Sequence, residues 1–266
     1  MVINDKQFLY INWLKVNNNC IRIFHQNIRS LRNKTNELLS HMFPNFPLLI
    51  CLTEHHLQAQ EVGFISLDSY TIGANYCRTN SQGGGSMIYV LNGLKFTNVD
   101  LKDLCKEKDI EVCAVKINVN SKIMCVITLY RAPSGDFAYI LLRLDNVLKF
   151  LFSSSTCLIL CGDLNVNYLG ENDHKSQLNN LLLMYNLKGI IDFPMRISHS
   201  TASAMDNFII DTSPFHDYSV NPLTNDLSDH DAQILTLKIP PLKQRERIKL
   251  IRKKLMYLRL TILFTN

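Results

Sequence analysis

Several short apolar runs in this chain stop at an acidic or amide side chain. Ile21-Arg22-Ile23-Phe24-His25-Gln26 leads into Asn27, and Leu48-Leu49-Ile50-Cys51-Leu52-Thr53 leads into Glu54. Cys157-Leu158-Ile159-Leu160-Cys161-Gly162 leads into Asp163 and, two residues on, Asn165. Runs this short read as strands. A sheet whose strands carry reactive groups at their carboxyl ends can gather residues distant in sequence into one cleft.

The rest of the chain alternates such runs with helical spacing. Strands are predicted over 20–27, 48–53, 87–91, 111–119, 122–130, 156–161, 206–211 and 231–239, with a hairpin turn at 118–121. Helices are predicted over 31–42, stopped by Pro44 and Pro47, over 136–152 with Ser134 or Asp136 as N-cap, and over 175–185. There is no internal repeat. With 47% apolar residues the chain can bury a sizeable core, so one α/β domain with a large mixed β content is expected, closed by Pro240-Pro241. Residues 1–19 then form an N-terminal extension, 20–240 the domain and 241–266 a tail.

The formal charge of +5 is unevenly spread. From 243 to 266 eight Lys/Arg face the single acid Glu246, so that segment carries +7 and residues 1–242 carry −2. A slightly acidic body with a basic extension differs from a protein that coats DNA uniformly. No membrane association is expected: Asp5, Lys6, Asn12 and Lys15 interrupt the N-terminus, and 255–264 is too short to span a bilayer. Four of the eight cysteines, Cys51, Cys125, Cys157 and Cys161, sit inside apolar runs. Cys-x-x-Cys is absent, which fits a reduced, intracellular chain better than a disulfide or zinc scaffold.

Glu54, Asp163, Asp229 and His230, with Asn27 and Asn165, form a set of hard donors that suits Mg²⁺ or Mn²⁺ and not zinc. Such an ion polarises a phosphoryl oxygen and neutralises charge on a leaving oxygen. An Asp can orient and deprotonate water while a His and an Asn stabilise the transition state. Gly-x-Ser-x-Gly, the phosphate-binding Gly-x-x-x-x-Gly-Lys-[Ser/Thr] loop and His-Glu-x-x-His are all missing. Gly83-Gly84-Gly85 lacks the dinucleotide fingerprint and is read as close strand packing. His55 and His56, adjacent at a strand exit, are expected to face opposite ways.

In order, the chain contains His25-Gln26-Asn27-Ile28-Arg29-Ser30-Leu31, Leu52-Thr53-Glu54-His55-His56-Leu57 and Gly83-Gly84-Gly85. It continues with Tyr130-Arg131-Ala132-Pro133, Gly162-Asp163-Leu164-Asn165, Met205-Asp206-Asn207-Phe208 and Leu227-Ser228-Asp229-His230. Over about residues 20–240 this series resembles the endonuclease/exonuclease/phosphatase superfamily, specifically the apurinic-endonuclease-like domain of non-LTR retrotransposons. The resemblance implies a four-layer α/β sandwich, two mixed β-sheets packed face to face with helices outside.

It also implies roles. Glu54 is the main metal ligand, assisted by Asn27 and Asp229. Asp163 positions or deprotonates the attacking water. Asn165 and His230 contact the scissile phosphate, Asp206 orients the His230 imidazole, and Tyr130 donates to a phosphate oxygen or helps stabilise the leaving group. Arg131 and Arg29 lie near the nucleic acid. Gln26 departs from the superfamily pattern, in which Trp often precedes the Asn. The implied activity is Mg²⁺-dependent nicking of DNA by a monomer without a small-molecule cofactor, acting in the nucleus. The tail from 241 is then the start of a linker toward a reverse transcriptase. A phosphomonoesterase of the same fold, or an inactive relic that binds nucleic acid through its tail, are the alternatives.

Overall fold

The computed structural model describes residues 20–198, 201–215 and 217–239. The extension and the basic tail predicted at the two ends therefore lie outside the described residues. One six-stranded sheet contains β1 (Cys20–Asn27), β2 (Leu49–Thr53), β3 (Tyr70–Tyr76), β4 (Ser86–Leu91), β13 (Asp217–Leu223) and β14 (Ala232–Lys238), in the spatial order β13-β14-β1-β2-β4-β3. The other contains β5 (Phe96–Val99), β6 (Glu111–Val119), β7 (Lys122–Tyr130), β8 (Thr156–Asp163), β9 (Lys188–Gly189) and β12 (Asp206–Ile210), ordered β5-β6-β7-β8-β12-β9. The short strands β10 (Arg196–Ser198) and β11 (Thr201–Ser203) pair with each other. Both large sheets are mixed, because β1 runs parallel to β2 and β7 parallel to β8 while the other pairs are antiparallel.

The layers follow from which face each strand buries. Ile21 and Ile23 of β1 and Cys51 of β2 point into the same core as Cys113, Val115 and Cys161 of the second sheet. Phe24, Ile50 and Tyr89 point the other way and close a second core over Leu38 of helix α1 (Thr35–Ser40). On the far side, helix α2 (Phe137–Leu151) buries Ile140, Leu144, Val147, Leu148 and Leu151, an i, i+4, i+7, i+8, i+11 stripe. Each such side chain contributes about 1.5–3 kcal/mol of hydrophobic stabilisation. The Asp136 carboxylate accepts the Tyr139 N–H at 3.1 Å and caps the helix, as its position in the sequence predicts. Helix α3 (Asp173–Leu183) lies beside it, burying Leu178 and Leu182. The result is the α/β sandwich with helices outside that the sequence implies. No helix among the described residues is long and apolar enough to cross a membrane.

Two expectations change. The helix predicted over 31–42 shrinks to Thr35–Ser40 because the preceding backbone is used elsewhere. The N–H groups of Ile28, Ser30 and Leu31 donate to the carbonyls of Thr53, Glu54 and His55, which prolongs the β1–β2 partnership past the strand ends. Arg29, Ser30 and Asn33 then take positive φ, where no α-helix continues. The glycine triplet is no strand contact either. All three glycines have positive φ, and a Cβ on Gly84 would meet the Arg78 guanidinium at 2.3 Å. A Cβ on Gly85 would meet the His55 ring at 2.4 Å. The loop packs on side chains and lends its carbonyls to the N–H groups of Glu54 and His56.

Among the described glycines, Gly162 leaves the least room for a side chain. An added Cβ would sit 1.8 Å from the carbonyl oxygen of Leu129, its register partner on β7. Backbone cannot yield as a side-chain tip does. Gly162→Ala is expected to destabilise the domain by about 3 kcal/mol, the upper range for overpacking. Urea denaturation would read this as a lower midpoint, and an unchanged midpoint would contradict the placement of β7 against β8.

Candidate active site

The carboxyl ends of β1, β2, β7 and β8 and the amino end of β12 meet at one edge of the sandwich. Asn27 ends β1, Tyr130 ends β7, Asp163 ends β8, and Asp206 opens β12 in register with Asp163. Glu54 follows β2 at φ +51 and Asn165 follows β8 at φ +52. Both hold the left-handed conformation, rare outside glycine, so the chain turns sharply as it leaves each strand.

Asn27 joins the two sheets. Its Nδ2 donates to Glu54 Oε1 and to Asp163 Oδ2, each at 2.8 Å. The His56 Nε2–H donates to Glu54 Oε2 at 3.1 Å, and the Tyr130 hydroxyl also hydrogen-bonds this carboxylate. Burial alone would raise the Glu54 pKa, but the bonds from His56, Asn27 and Tyr130 outweigh it and hold the carboxyl at about 2. Glu54 is therefore ionised at neutral pH, and with its side chain 16% exposed it faces solvent.

Asp163 behaves in the opposite way. Complete burial, reinforced by the Asp206 charge, pushes its pKa up to about 7 despite bonds from Asn27 and from the Asn165 N–H at 3.0 Å. His230 Nδ1 donates to Asp206 Oδ2 at 2.6 Å. Burial lowers the His230 pKa, but Asp206 and the neighbouring acids more than offset this and raise it to about 9. One carboxyl poised near neutrality beside a cationic imidazole is the pairing that general acid–base chemistry requires.

Donor atoms of Asp163, Asp206 and His230 all lie within 4.8 Å of one another. That grouping is better read as a proton-holding cluster than as a cation cage, because the Nδ1 proton of His230 occupies the bond to Asp206. For a hard divalent cation the fitting donors are the ionised, accessible Glu54 carboxylate and the Asn27 side-chain oxygen.

The loop carrying His230 is held by groups that sequence reading passed over. Gln26 and Asn225 exchange amide hydrogen bonds at 2.8 and 3.0 Å, and Gln26 also donates to the His230 carbonyl at 3.0 Å. Gln26, which stands where the superfamily often has Trp, thus ties β1 to the segment before β14. The Ser228 hydroxyl donates to the Asn27 carbonyl, and Lys34 Nζ spans the carbonyls of Ile28 and Leu227. Asn225 and Lys34 carry no spacing signal; only a contact between distant segments reveals them.

Other residues predicted for the site are placed elsewhere. The Arg131 guanidinium turns inward at 5% exposure, donates to the carbonyls of Leu164, Asn165 and Gly135, and lies over the Phe137 ring. Its two terminal nitrogens bond the backbone of the loops after β7 and β8, so its position near a nucleic-acid backbone is corrected to a buried anchor. Asn165 Nδ2 donates to the Arg131 carbonyl at 2.6 Å. The Asp229 carboxylate does not join Glu54; it is bracketed by Arg29 at 2.8 Å and Arg196 at 2.6 Å. Arg29 and Arg196, both about half exposed, form a cationic rim, and nothing in the sequence pattern pointed to Arg196. His55 is buried, its Nε2–H donating to the Tyr76 carbonyl, while the neighbouring His56 reaches Glu54.

Two face-to-face mixed sheets with acids, amides and a histidine at one edge define the endonuclease/exonuclease/phosphatase fold, and the chain has it. No family model and no curated protein matches the sequence. Solved structures do match. The endonuclease domain of TRAS1, a telomere-specific non-LTR retrotransposon, superposes with a TM-score of 0.65 at 16% identity, covering 83% of this chain and 99% of that one. The AP endonuclease LMAP from Leishmania major gives 0.64 at 16% identity over 84% and 89% of the two chains. The 3′ phosphatase NExo from Neisseria, bound to product DNA hairpin, gives 0.59 at 14% identity over 83% and 99%. The fold is thus the one these endonucleases and this phosphatase share.

Proposed function

We propose that this chain is a divalent-metal-dependent DNA endonuclease of non-LTR retrotransposon origin that nicks one strand by phosphodiester hydrolysis. The observation that carries the reading is the Asn27 amide joining an ionised Glu54 to an Asp163 poised near neutrality, with the Asp206–His230 pair alongside. The likeness to the TRAS1 endonuclease domain supports the origin and the substrate.

Glu54 and Asn27 would hold Mg²⁺ or Mn²⁺, which supplies charge neutralisation at a phosphoryl oxygen. Asp163 accepts the proton of the attacking water, and the His230 imidazolium donates to a phosphate oxygen. The Tyr130 hydroxyl gives its one proton to Glu54 and would have to release that bond to reach a phosphate oxygen, while the second Nδ2 hydrogen of Asn165, beside Asp163, would offer a donor there. Arg29 and Arg196 would meet the strand's phosphates from the rim. For Asp229 to serve as a metal ligand, both of its ion pairs would have to open. A monomer working on chromosomal DNA in the nucleus suffices for this chemistry.

Supercoiled plasmid incubated with the protein and Mg²⁺ should yield open circles, and Asp163→Ala and His230→Ala should not. Equal nicking by wild type and both variants would overturn the assignment. The likeness to the phosphatase NExo favours one rival reading, phosphomonoester hydrolysis, which would release inorganic phosphate without open circles. Glu54→Gln should raise the Mg²⁺ concentration for half-maximal nicking by about 10–100-fold, since it removes the ionised oxygen donor. An unchanged Mg²⁺ titration would exclude Glu54 as the ligand.

A further inference from the structure

Asp206 offers its two carboxylate oxygens to two different histidines. Oδ2 accepts the 2.6 Å bond from His230, while Oδ1 lies 3.9 Å from Nδ1 of His25. His25 stands on β1 next to Gln26 and is fully buried, and Asp206 comes from the opposite sheet at 1% exposure. Neither ring nitrogen of His25 has a hydrogen-bond partner, and neither does Asp206 Oδ1. Buried polar atoms are nearly always paired, so two unpaired ones facing each other need an explanation.

The surroundings narrow it. The His25 side chain continues the inward row begun by Ile21 and Ile23, so it lies in the layer between the sheets. The Phe208 ring packs edge-on against it with centroids 6.2 Å apart. Gln233, its register partner on β14, is buried with its amide also unpaired. The charged groups acting on His25 are Asp206 and His230, and burial keeps the ring neutral, its pKa pushed down to about 4. A core position on this face would ordinarily take Leu or Ile; an imidazole there costs desolvation that only a polar contact offsets.

We propose that His25 is a positioning residue for His230: it donates from Nδ1 to Asp206 Oδ1 and so fixes the carboxylate that orients the catalytic imidazole. Closing the gap needs a shift of about 1 Å to reach hydrogen-bond distance. Asp206 then links the sheets, held on one oxygen by β1 and holding His230 with the other. Outer groups of this kind set the orientation of the residue in front of them, and their loss typically costs about 10–100-fold in activity. The inference rests on the nuclease reading only for what His230 does; the histidine–carboxylate–histidine relay itself does not.

The test uses ¹⁵N-labelled protein and two variants. In wild type, long-range ¹H–¹⁵N correlation should show His25 neutral with its proton on Nδ1; a proton on Nε2 overturns the proposal and requires no mutation. His25→Leu should shift or broaden the far-downfield proton of the Asp206–His230 bond and lower kcat for nicking by about tenfold, with KM within about twofold. His25→Asn, which restores a donor at the Nδ1 position, should return both toward wild type. A His25→Leu protein that keeps the resonance and kcat overturns the proposal, as does a His25→Asn protein no better than His25→Leu. The resonances need no turnover, so failure of the relay and failure of the nuclease reading are separately visible.

Discussion

Asp163→Asn is expected to lower plasmid nicking by about 10³-fold while making the fold more stable, both from the loss of one buried charge. The rate falls because an amide accepts no proton from water. Stability rises because Asp163 is completely buried and Asp206 adds like-charge repulsion, which together raise its pKa to about 7 from an ordinary 3.8. A carboxyl whose folded pKa lies above its unfolded value favours folding in its protonated form. That advantage is complete below pH 3.8 and lost as pH rises through about 7. Asn, never ionised, keeps it. Urea unfolding in EDTA should therefore show the variant ahead by about 2–4 kcal/mol at pH 8, with a smaller gap at pH 5. Equal stabilities at pH 8 would mean that Asp163 is solvated or paired in a way the geometry does not show. A trade of stability for reactivity is what a catalytic carboxyl in a dry pocket entails.

His230→Gln should cost about 10²-fold in rate, the loss typical of one donor to a developing negative charge. The pH profile is the sharper readout. In wild type the rate should rise as Asp163 deprotonates through about 7 and fall as His230 loses its proton through about 9. Gln cannot titrate, so the variant should keep the rising limb and lose the alkaline fall. If that fall persists in the variant, another group causes it and His230 is not the acid. Asp206→Asn should move the same limb to lower pH without removing it, because the partner that raises the His230 pKa would be neutral.

Central strands were readable because burial on both faces forces a nearly continuous apolar run. The predicted bounds of β1, β6 and β7 coincide with the observed ones. The edge strands β5 and β13 escaped notice for the converse reason: they are mostly exposed and carry polar residues that match no period. Helix α1 was overdrawn because Leu31 and Leu38 have helical spacing, while the backbone of 28–31 was already committed to β2.

The candidate site divides along the same line. That Asn27, Glu54 and Asp163 belong together was legible from their places at strand ends, whereas Asp206 entered only through the family resemblance. What each side chain faces was not. Asp229 stands next to His230 in the chain, yet its carboxylate is taken by Arg29 and by Arg196 from the β10–β11 hairpin. Arg131 follows Tyr130 directly, yet the carbonyls of a loop more than thirty residues away turn it inward. Gln26 stood out only as a departure from the superfamily pattern, and His25 looked like an ordinary strand residue, until Asn225 and Asp206 were brought beside them.

The alternation of apolar runs and terminal polar residues determined the α/β class, most of the strands and the acids and amides at the strand ends, because burial pattern and strand-end chemistry are local properties. Only the tertiary structure decided which acid is ionised, which is poised near neutrality and which arginines face solvent. Those properties depend on distances and desolvation between segments as far apart as Gln26 and Asn225, and no spacing along the chain encodes them.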